Sequence, residues 1–463
     1  MSHPSPQKLA STDLPDYETW TREELIARLK ELSESPTAVV TTNTSPSSNP
    51  PPTTPTPEPK SNRKKPKREF NFSAYPTRKI ALKFSYAGAG YGGLAWQAGA
   101  TPLPTVEGVL FAALAKARLV DPEGGLEGCG WERCGRTDRG VSAAGQVVSL
   151  YVRSSNRRLS APDTRSGVLR YLHTLNGILP ASIRVYAWAP VAPAFSARFS
   201  CRARHYKYFF SARALDVAAM RAGAARLVGE HDFRNLCKLD PAKQLTSFRR
   251  RILRADISPL EDDEDDDGAR MHVLDLVGTA FLYNQVRHIM AVLLLVGAGL
   301  EEPRIVSALL NVDADPEEEG GEEEALPRVT RKPEYQMADA LPLVLWDCAY
   351  DPEDARWRTD EAGMEGGSAG LRSQLVGLAE RAQVEATLAE HFLAAASEFH
   401  GAAPPPVMGV PGEGGPWDVP LGGGMVRREG RYVPLLKRRR LECVEVVNAR
   451  WRSRKGSNST GLG

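Results

Sequence analysis

The chain has 463 residues, of which 42% are hydrophobic, and this is enough to build one large domain or two fused halves. Its 59 basic and 57 acidic residues leave a formal net charge of +2, so the overall charge by itself gives no evidence for a nucleic-acid partner. The longest apolar run, IMAVLLLVGAGL at 289–300, is too short to span a bilayer, which excludes a membrane-spanning protein.

The first residues and the cysteines indicate where the protein works. MSHPSPQKLASTDLPDYE contains no apolar stretch like that of a secretory signal, and its acids argue against a mitochondrial presequence. The six cysteines form neither a CxxC pair nor a Cys/His cluster along the sequence. We therefore expect reduced, mostly buried thiols, with no metal site and no cofactor, in a protein of the nucleus, the cytoplasm or both.

The charges are distributed unevenly along the chain. Acidic residues are concentrated in EDDEDDDGAR at 261–270 and DADPEEEGGEEEA at 313–325, and such runs are typical of solvated, flexible insertions. The rest of the chain is distinctly basic once these two runs are set aside. A basic body of this kind can attract phosphates.

Two segments precede the predicted core and two follow it. Residues 1–35 form a tail with a short amphipathic helix at 19–35, and residues 36–69 form a disordered Pro/Ser/Thr linker. The linker ends in the basic run RKKPKREF, which suits either a nuclear localisation signal or a phosphate contact. After the core, 353–430 is glycine-rich and predicted to be flexible, and 431–463 is a basic segment that can pack back on the core.

The core itself is predicted to extend over 70–352, with strands and helices of changing periodicity. We expect strands from Lys79 and at 145–152, 183–191, 204–212, 250–260, 271–281 and 341–350. We expect helices at 105–119, 168–179, 216–228 and 282–299, the last of them buried. Without regular βαβ alternation, this order favours an α+β fold in which helices pack on a mostly antiparallel sheet. The strand–helix–strand order of 79–190 repeats in 204–350, so we expect two similar halves that flank a central basic cleft.

One acidic residue lies inside a basic, glycine-containing turn, RCGRTDRGVS, directly before the apolar strand GQVVSLYV. An aspartate in such a turn is usually structural, because its side chain bonds neighbouring backbone amides. Asp138, however, is flanked by Arg136 and Arg139. Positive charge on both sides lowers the pKa of a carboxyl group, and an ionised carboxylate suits a nucleophile.

At this turn the sequence resembles the TruA-type tRNA pseudouridine synthases, whose signature is G-R-T-D-x-G-V-x-A. Further segments that are similar to family motifs follow in the family's order. They are YAGAGYGGLAWQ at 86–97, FSARFSCRARHYKYFF at 195–210, GEHDFRNLCKLD at 229–240 and GTAFLYNQVRHIMAVLLLVGAG at 278–299. Together they cover about 79–350. The flanking segments resemble the eukaryotic branch that acts at positions 38 and 39 of tRNA.

The resemblance implies the roles of four residues. Asp138 would be the catalytic nucleophile, attacking either the ribose or the base, and Arg287 would pair with it. Tyr206 would stack on the target base, and Arg136 would contact RNA and assist base flipping. Without the resemblance, Tyr206 reads as an ordinary core aromatic and Arg287 as a capping or snorkelling arginine. The resemblance also implies tRNA as the partner, a homodimer and no metal or redox cofactor.

Other interpretations of the same sequence remain open. A related synthase acting at other tRNA positions and a catalytically silent tRNA-binding protein keep the same fold. A hydrolase with paired carboxylates would have to use the acidic runs, and flexible insertions cannot hold two acids at a fixed separation. His231, Asp232 and Phe233 are interpreted as structural, and Cys134 as a small packed residue rather than a nucleophile.

Overall fold

A computed structural model describes residues 21, 70–99, 101–154, 169–260, 271–312, 327–359, 367–401 and 417–459. The chain divides into two compact units, Met1–Arg68 and Glu69–Gly463, and all described residues except Thr21 belong to the second unit. The predicted helix at 19–35, apart from Thr21, lies outside the described residues. The linker at 36–69 and both acidic runs also lie outside them.

Within the described residues, nine strands form one sheet of mostly antiparallel pairs, which confirms the predicted α+β class. The strands are β1 (Thr77–Tyr86), β2 (Glu132–Arg133), β3 (Ser142–Arg153), β4 (Ile183–Pro190), β5 (Ala203–Ser211), β6 (Gly229–Asp232), β7 (Arg249–Pro259), β8 (Met271–Gly278) and β9 (Leu343–Ala349). Their order is β4-β1-β3-β9-β5-β8-β7-β6, with β2 paired to β3. Every predicted core strand has a counterpart in this sheet.

Strand β9, the last strand of the core in sequence, lies in the middle of the sheet. It pairs in parallel with the start of β3, where Ser142 is opposite Val344. On its other side it pairs antiparallel with β5, where Tyr206 is opposite Leu345. The strand that directly follows the Asp138 turn and the strand that carries Tyr206 are therefore both neighbours of β9, and this brings the two residues to the same part of the sheet.

The helices pack around this sheet or extend beyond it. They are α1 (Val106–Lys116), α2 (Gly125–Gly128), α3 (Tyr171–Asn176), α4 (Val217–Ala225), α5 (Gln285–Gly297), α6 (Ile305–Leu310), α7 (Gly367–His400) and α8 (Val444–Ser459). Helix α5 is apolar on all sides after its first turn, and every residue from His288 to Gly297 is buried. None of the described helices is long and apolar enough to cross a bilayer.

The prediction of a flexible, glycine-rich region at 353–430 was wrong for part of its length. The structure contains the long helix α7 there and a hairpin of β10 (Trp417–Gly422) and β11 (Met425–Glu429). The glycines are concentrated beside α7, while its own sequence is rich in alanine, leucine and glutamate, which favour a helix. Average composition over the whole region concealed this difference.

The C-terminal segment packs back on the core, as the sequence indicated. Leu435 is fully buried, and its backbone N–H donates to a Glu301 oxygen at 2.5 Å. The Tyr432 hydroxyl donates to the same oxygen at 2.7 Å. These contacts hold the segment against the chain just beyond the end of α5.

Candidate active site

Asp138 lies in the turn between β2 and β3. The backbone N–H of Val141 donates to the Asp138 carbonyl at 3.2 Å, which closes the turn. Gly140 has φ +82°, a left-handed conformation that favours glycine. The short loop therefore holds the aspartate directly ahead of a buried strand.

Two side-chain contacts fix this turn to neighbouring strands. The Thr137 hydroxyl lies 2.6 Å from the Tyr86 hydroxyl at the end of β1, and both residues are buried. The Gln146 amide of β3 donates to the Gly135 carbonyl at 3.0 Å. Because both contacts are made by residues of the Asp138 turn, they limit the movement of its backbone.

The glycines of YAGAGYGG let a second loop approach the turn closely. A Cβ atom added to Gly88 would lie 2.1 Å from the Val141 carbonyl oxygen, which no side chain could tolerate. Gly93 has φ +110°, and a Cβ there would lie 3.1 Å from the Thr137 carbonyl oxygen. The two motifs are far apart in sequence, but the glycines allow them to form one wall of a site.

All four predicted site residues, Asp138, Arg287, Tyr206 and Arg136, line one cavity of about 1220 Å³. We call it the Asp138 cavity. Its lining includes eight basic and two acidic residues, so its charge is strongly positive. The basic residues are Arg133, Arg136, Arg139, Arg198, Arg204, Lys243, Arg250 and Arg287. A strongly positive cavity that also contains aromatic rings suits an anionic, base-containing ligand.

The Asp138 carboxylate is held by a residue that the sequence analysis did not identify. Asn284 Nδ2 donates to Asp138 Oδ2 at 2.5 Å. Asn284 is buried, has φ +56° and directly precedes α5. Asparagine tolerates this left-handed conformation better than most residues, so an asparagine directly before the α5 segment was the available signal.

The predicted direction of the Asp138 pKa was wrong. Burial raises the pKa of this carboxyl group above its ordinary value, and the charges of Arg287, Lys238 and Lys243 and the Asn284 hydrogen bond lower it only in part. Desolvation outweighs these effects because the ionised form loses its contact with water. The flanking Arg136 and Arg139 are exposed and are not among the main causes of this shift.

Arg287 lies in the first turn of α5 and acts on Asp138 through its charge. Its Nε donates to the Ala338 carbonyl at 2.7 Å, which fixes the side chain. No ion pair within 4.0 Å joins Arg287 to Asp138, although the arginine is the largest charge that lowers the pKa of the carboxyl group. Direct pairing of Arg287 with Asp138 therefore stays a prediction. The charge of Arg287 nevertheless stabilises the ionised Asp138 from a distance.

Tyr206 lies on β5 with 8% of its surface exposed. Its ring packs edge-on against Phe281, with ring centroids 4.9 Å apart and an interplanar angle of 79°. Burial raises the pKa of the Tyr206 phenol above its ordinary value, so the phenol stays protonated at neutral pH. The ring can form an apolar wall of the cavity, but the neutral phenol group is poorly suited to accept a proton.

Arg136 is exposed at the cavity, and its guanidinium forms no hydrogen bond or ion pair with any residue that the structure describes. A free guanidinium at the edge of a positive cavity is available for a phosphate. Its position fits the predicted RNA contact and leaves phosphate binding as the simpler role.

Arg204 is a second residue that the sequence analysis assigned no role. Its guanidinium donates to the carbonyls of Cys134 at 3.0 Å, Arg198 at 3.1 Å and Thr279 at 2.8 Å. One guanidinium group thus donates hydrogen bonds to three loops at the cavity. We infer that Arg204 holds these loops in place and contributes to the positive charge of the cavity.

Three cysteines that are scattered in sequence meet beside the Asp138 turn. The sulfur atoms of Cys134, Cys201 and Cys348 all lie within 4.8 Å of one another. Three thiolates are one ligand short of a closed tetrahedral zinc site, and the cationic Arg204 next to them disfavours a metal cation. The fold thus assembles a thiol cluster that the spacing along the chain could not show.

The residues interpreted as structural lie elsewhere. His231 and Asp232 are on β6, and neither they nor Phe233 line the Asp138 cavity. Asp232 pairs with Arg234 at 2.8 Å, and Phe233 is fully buried.

Comparison with known proteins identifies the relatives of this chain. A family model described as tRNA pseudouridine synthase matches residues 224–351. The tRNA pseudouridine(38/39) synthase of Saccharomyces cerevisiae is 37% identical over 450 residues, which covers 96% of this chain and 93% of that protein. The chain belongs to the tRNA pseudouridine synthase family. Within this family, the match to the yeast protein extends far beyond the family-model segment, which includes Arg287 but not Asp138.

Mammalian tRNA pseudouridine(38/39) synthases are also similar to the chain. The mouse (Mus musculus) protein is 44% identical over 316 residues, and the human (Homo sapiens) protein is 41% identical over 314 residues. Each match covers 65% of this chain, and the chain spans only 61% of the length of either relative.

Proposed function

We propose that this chain isomerises uridine to pseudouridine in the anticodon arm of tRNA, at positions 38 and 39. The observation that carries the proposal is that Asp138, Tyr206, Arg287 and Arg136 line the same positive cavity. Its relatives in yeast, mouse and human are named for activity at these two positions, which supports the choice of target.

Asp138 is the nucleophile in this proposal. The reaction breaks the bond between ribose C1′ and uracil N1, turns the base and joins C1′ to carbon 5; carbon 5 loses a proton and N1 gains one, so the product is an isomer of the substrate. Asn284 bonds Oδ2 of the carboxylate, while Oδ1 has no hydrogen-bond partner among the described residues. Oδ1 is therefore available to attack the ribose or the base, and covalent capture divides one difficult substitution into two easier steps.

The surrounding positive charges stabilise the ionised form of Asp138. Burial disfavours the carboxylate, whereas Arg287, Lys238 and Lys243 favour it. The ionised carboxylate is therefore stabilised by charge yet poorly solvated, and a poorly solvated carboxylate is more reactive than one in water.

Tyr206 receives the target base in this account. Its neutral ring offers a stacking surface for a uracil that has left its helix, and stacking is worth about 1–3 kcal/mol per base, which offsets part of the cost of extrusion. Arg136, exposed and free of partners among the described residues, holds a phosphate of the distorted strand. Homodimer formation and a nuclear or cytoplasmic location stay predictions.

The proposal is tested with purified wild-type protein and Asp138→Ala, each incubated with unmodified tRNA transcripts. Matched transcripts carry uridine at position 38 only, at position 39 only or at neither, and pseudouridine is mapped at every position. We expect product at positions 38 and 39 with the wild type and none with the variant.

Three results would contradict this proposal. Product only outside the anticodon arm would identify a synthase with another target, and product from Asp138→Ala would remove Asp138 from the chemistry. tRNA binding by the wild type without any product would identify a catalytically silent binding protein.

A further inference from the structure

Three large aromatic side chains are exposed at the Asp138 cavity although apolar rings usually avoid water. Phe199 is 77% exposed, Trp96 54% and Tyr283 38%, and all three line the cavity. We call these three residues the rim. Exposed aromatic rings gathered around one cavity indicate an interaction surface.

The backbone of each rim residue is fixed, so the exposure does not result from loose loops. Trp96 N–H donates to the buried Glu107 carboxylate at 2.9 Å. Phe199 N–H donates to the Ser196 hydroxyl at 3.2 Å. The Tyr283 carbonyl accepts from Lys238 N–H at 2.9 Å. Rigid presentation lowers the entropy that a ring loses when it binds a partner.

Cations accompany two of the rings. The Arg198 guanidinium lies 5.1 Å from the Phe199 ring centroid. Lys243 and Lys238 lie 5.3 and 5.7 Å from the Tyr283 ring centroid. A stacking ring beside a phosphate-binding cation is the combination used for single-stranded nucleic acid, whereas an apolar protein partner would not need the cations.

The size of the cavity also favours more than one nucleotide. Its volume of about 1220 Å³ exceeds the roughly 300–1,000 Å³ of most small-molecule sites. Tyr206 and Asp138 account for one extruded base, so the exposed rings remain for its neighbours.

We propose that Trp96, Phe199 and Tyr283 form a stacking subsite for unpaired bases that flank the target nucleotide. The proposal rests on the proposed function, since it takes tRNA as the ligand. It implies that the enzyme holds several nucleotides of the arm unstacked while one base enters the cavity.

The test compares the loss of a rim ring with the loss of an exposed ring outside the cavity. In the Asp138→Ala background, which blocks turnover, the Kd for a tRNA transcript is measured for Phe199→Leu, Phe199→Trp and Trp96→Leu. The matched control is Trp346→Leu, because Trp346 is an exposed ring too, at 44%, and has Lys207 at 5.0 Å from its ring centroid, but does not line the cavity. The same series is repeated with transcripts that carry an abasic site at each nucleotide next to the target.

We expect Phe199→Leu and Trp96→Leu to weaken binding roughly 5- to 150-fold, the range that corresponds to the loss of one base–aromatic stack. Phe199→Trp should bind like the parent, and so should Trp346→Leu. An abasic site at the stacked position should abolish the effect of the rim variant, since the two changes remove the same contact.

The outcomes separate this inference from the proposed function. The stacking subsite is wrong if wild-type protein forms pseudouridine but Phe199→Leu and Trp96→Leu bind tRNA as tightly as Trp346→Leu does. It is also wrong if these two variants lose as much affinity for every abasic transcript as for the intact one. If wild-type protein forms no pseudouridine while the rim variants still weaken binding through a flanking base, the proposed activity is wrong and the subsite stands.

Discussion

The inner residues of the Asp138 cavity, Asp138, Asn284 and Tyr206, differ from the rim residues in what surrounds them. The inner residues are largely withdrawn from water, and burial shifts the pKa values of both ionisable groups among them. The rim residues are rings held out into water by fixed backbone. The difference assigns chemistry to the inner residues and affinity to the rim, so changes in the two regions should affect different kinetic quantities.

A change at Arg287 is expected to give the largest effect on the rate with no effect on tRNA affinity. Arg287→Gln removes the strongest charge that lowers the pKa of Asp138, so this pKa should rise further and less carboxylate should be ionised at a given pH. We expect the single-turnover rate at neutral pH to fall on the order of 10²–10³-fold. The acid limb of the pH–rate profile should move to higher pH, and activity should recover as pH rises.

Arg287→Lys is the matched control, because it keeps the charge and loses the shape of the guanidinium. Its acid limb should move less than that of Arg287→Gln, and tRNA affinity should stay unchanged in both. An unchanged acid limb in Arg287→Gln would show that this cation does not control ionisation of Asp138.

Variants of Tyr206 distinguish two possible roles of this residue, a stacking surface for the base and a proton acceptor. Tyr206→Phe keeps the ring, and since the phenol is already neutral, we expect less than about a tenfold loss of rate. Tyr206→Leu removes the ring and should lower the rate roughly 5- to 150-fold. A much larger loss in Tyr206→Phe than this would indicate that the hydroxyl takes part in the chemistry.

Asn284 tests whether a neutral hydrogen bond tunes Asp138. Asn284→Ala removes a donor that lowers the pKa of the carboxyl group, so the acid limb should again move to higher pH. We expect a rate loss of about tenfold, consistent with a hydrogen bond to a charged group. Asn284→Asp should shift the limb further, because a second negative charge disfavours ionisation of the first; an equal or smaller shift would argue against this contact.

The smallest effect is expected from metal removal. The thiol cluster of Cys134, Cys201 and Cys348 lies beside the cationic Arg204, and the proposed isomerisation uses a carboxylate and stacking rather than a metal. Dialysis of the full-length protein against a chelator should therefore leave the rate unchanged. A loss of rate that zinc restores would instead identify the cluster as a metal site.

Several features of the site could be predicted from sequence because they are local. The turn residues around Asp138, the strand of Tyr206 and the buried helix that carries Arg287 are each contained in one short segment. Periodicity and turn composition are properties of such segments, so the strands and helices of the core were predictable.

The missed features depend on distant contacts. Asn284 reaches Asp138, and Arg204 bridges three loops, only after the sheet has formed. Desolvation of Asp138 is likewise a property of the assembled cavity, which is why neighbouring arginines suggested the wrong direction for its pKa. Helix α7 was missed for a different reason, since glycine-rich flanks dominated the average composition of its region.

The most direct measurement is single-turnover pseudouridine formation by wild-type protein and Asp138→Asn, together with their tRNA affinity and thermal stability at neutral pH. Asparagine is uncharged and similar in shape, so we expect the rate to fall on the order of 10⁴-fold or more while tRNA affinity stays the same. Since burial raises the pKa of Asp138, its ionised form destabilises the folded state at pH values above the ordinary carboxyl pKa, and the variant should be at least as stable as the wild type. A variant that folds, binds tRNA and still forms pseudouridine at the wild-type rate would contradict the role of this carboxylate.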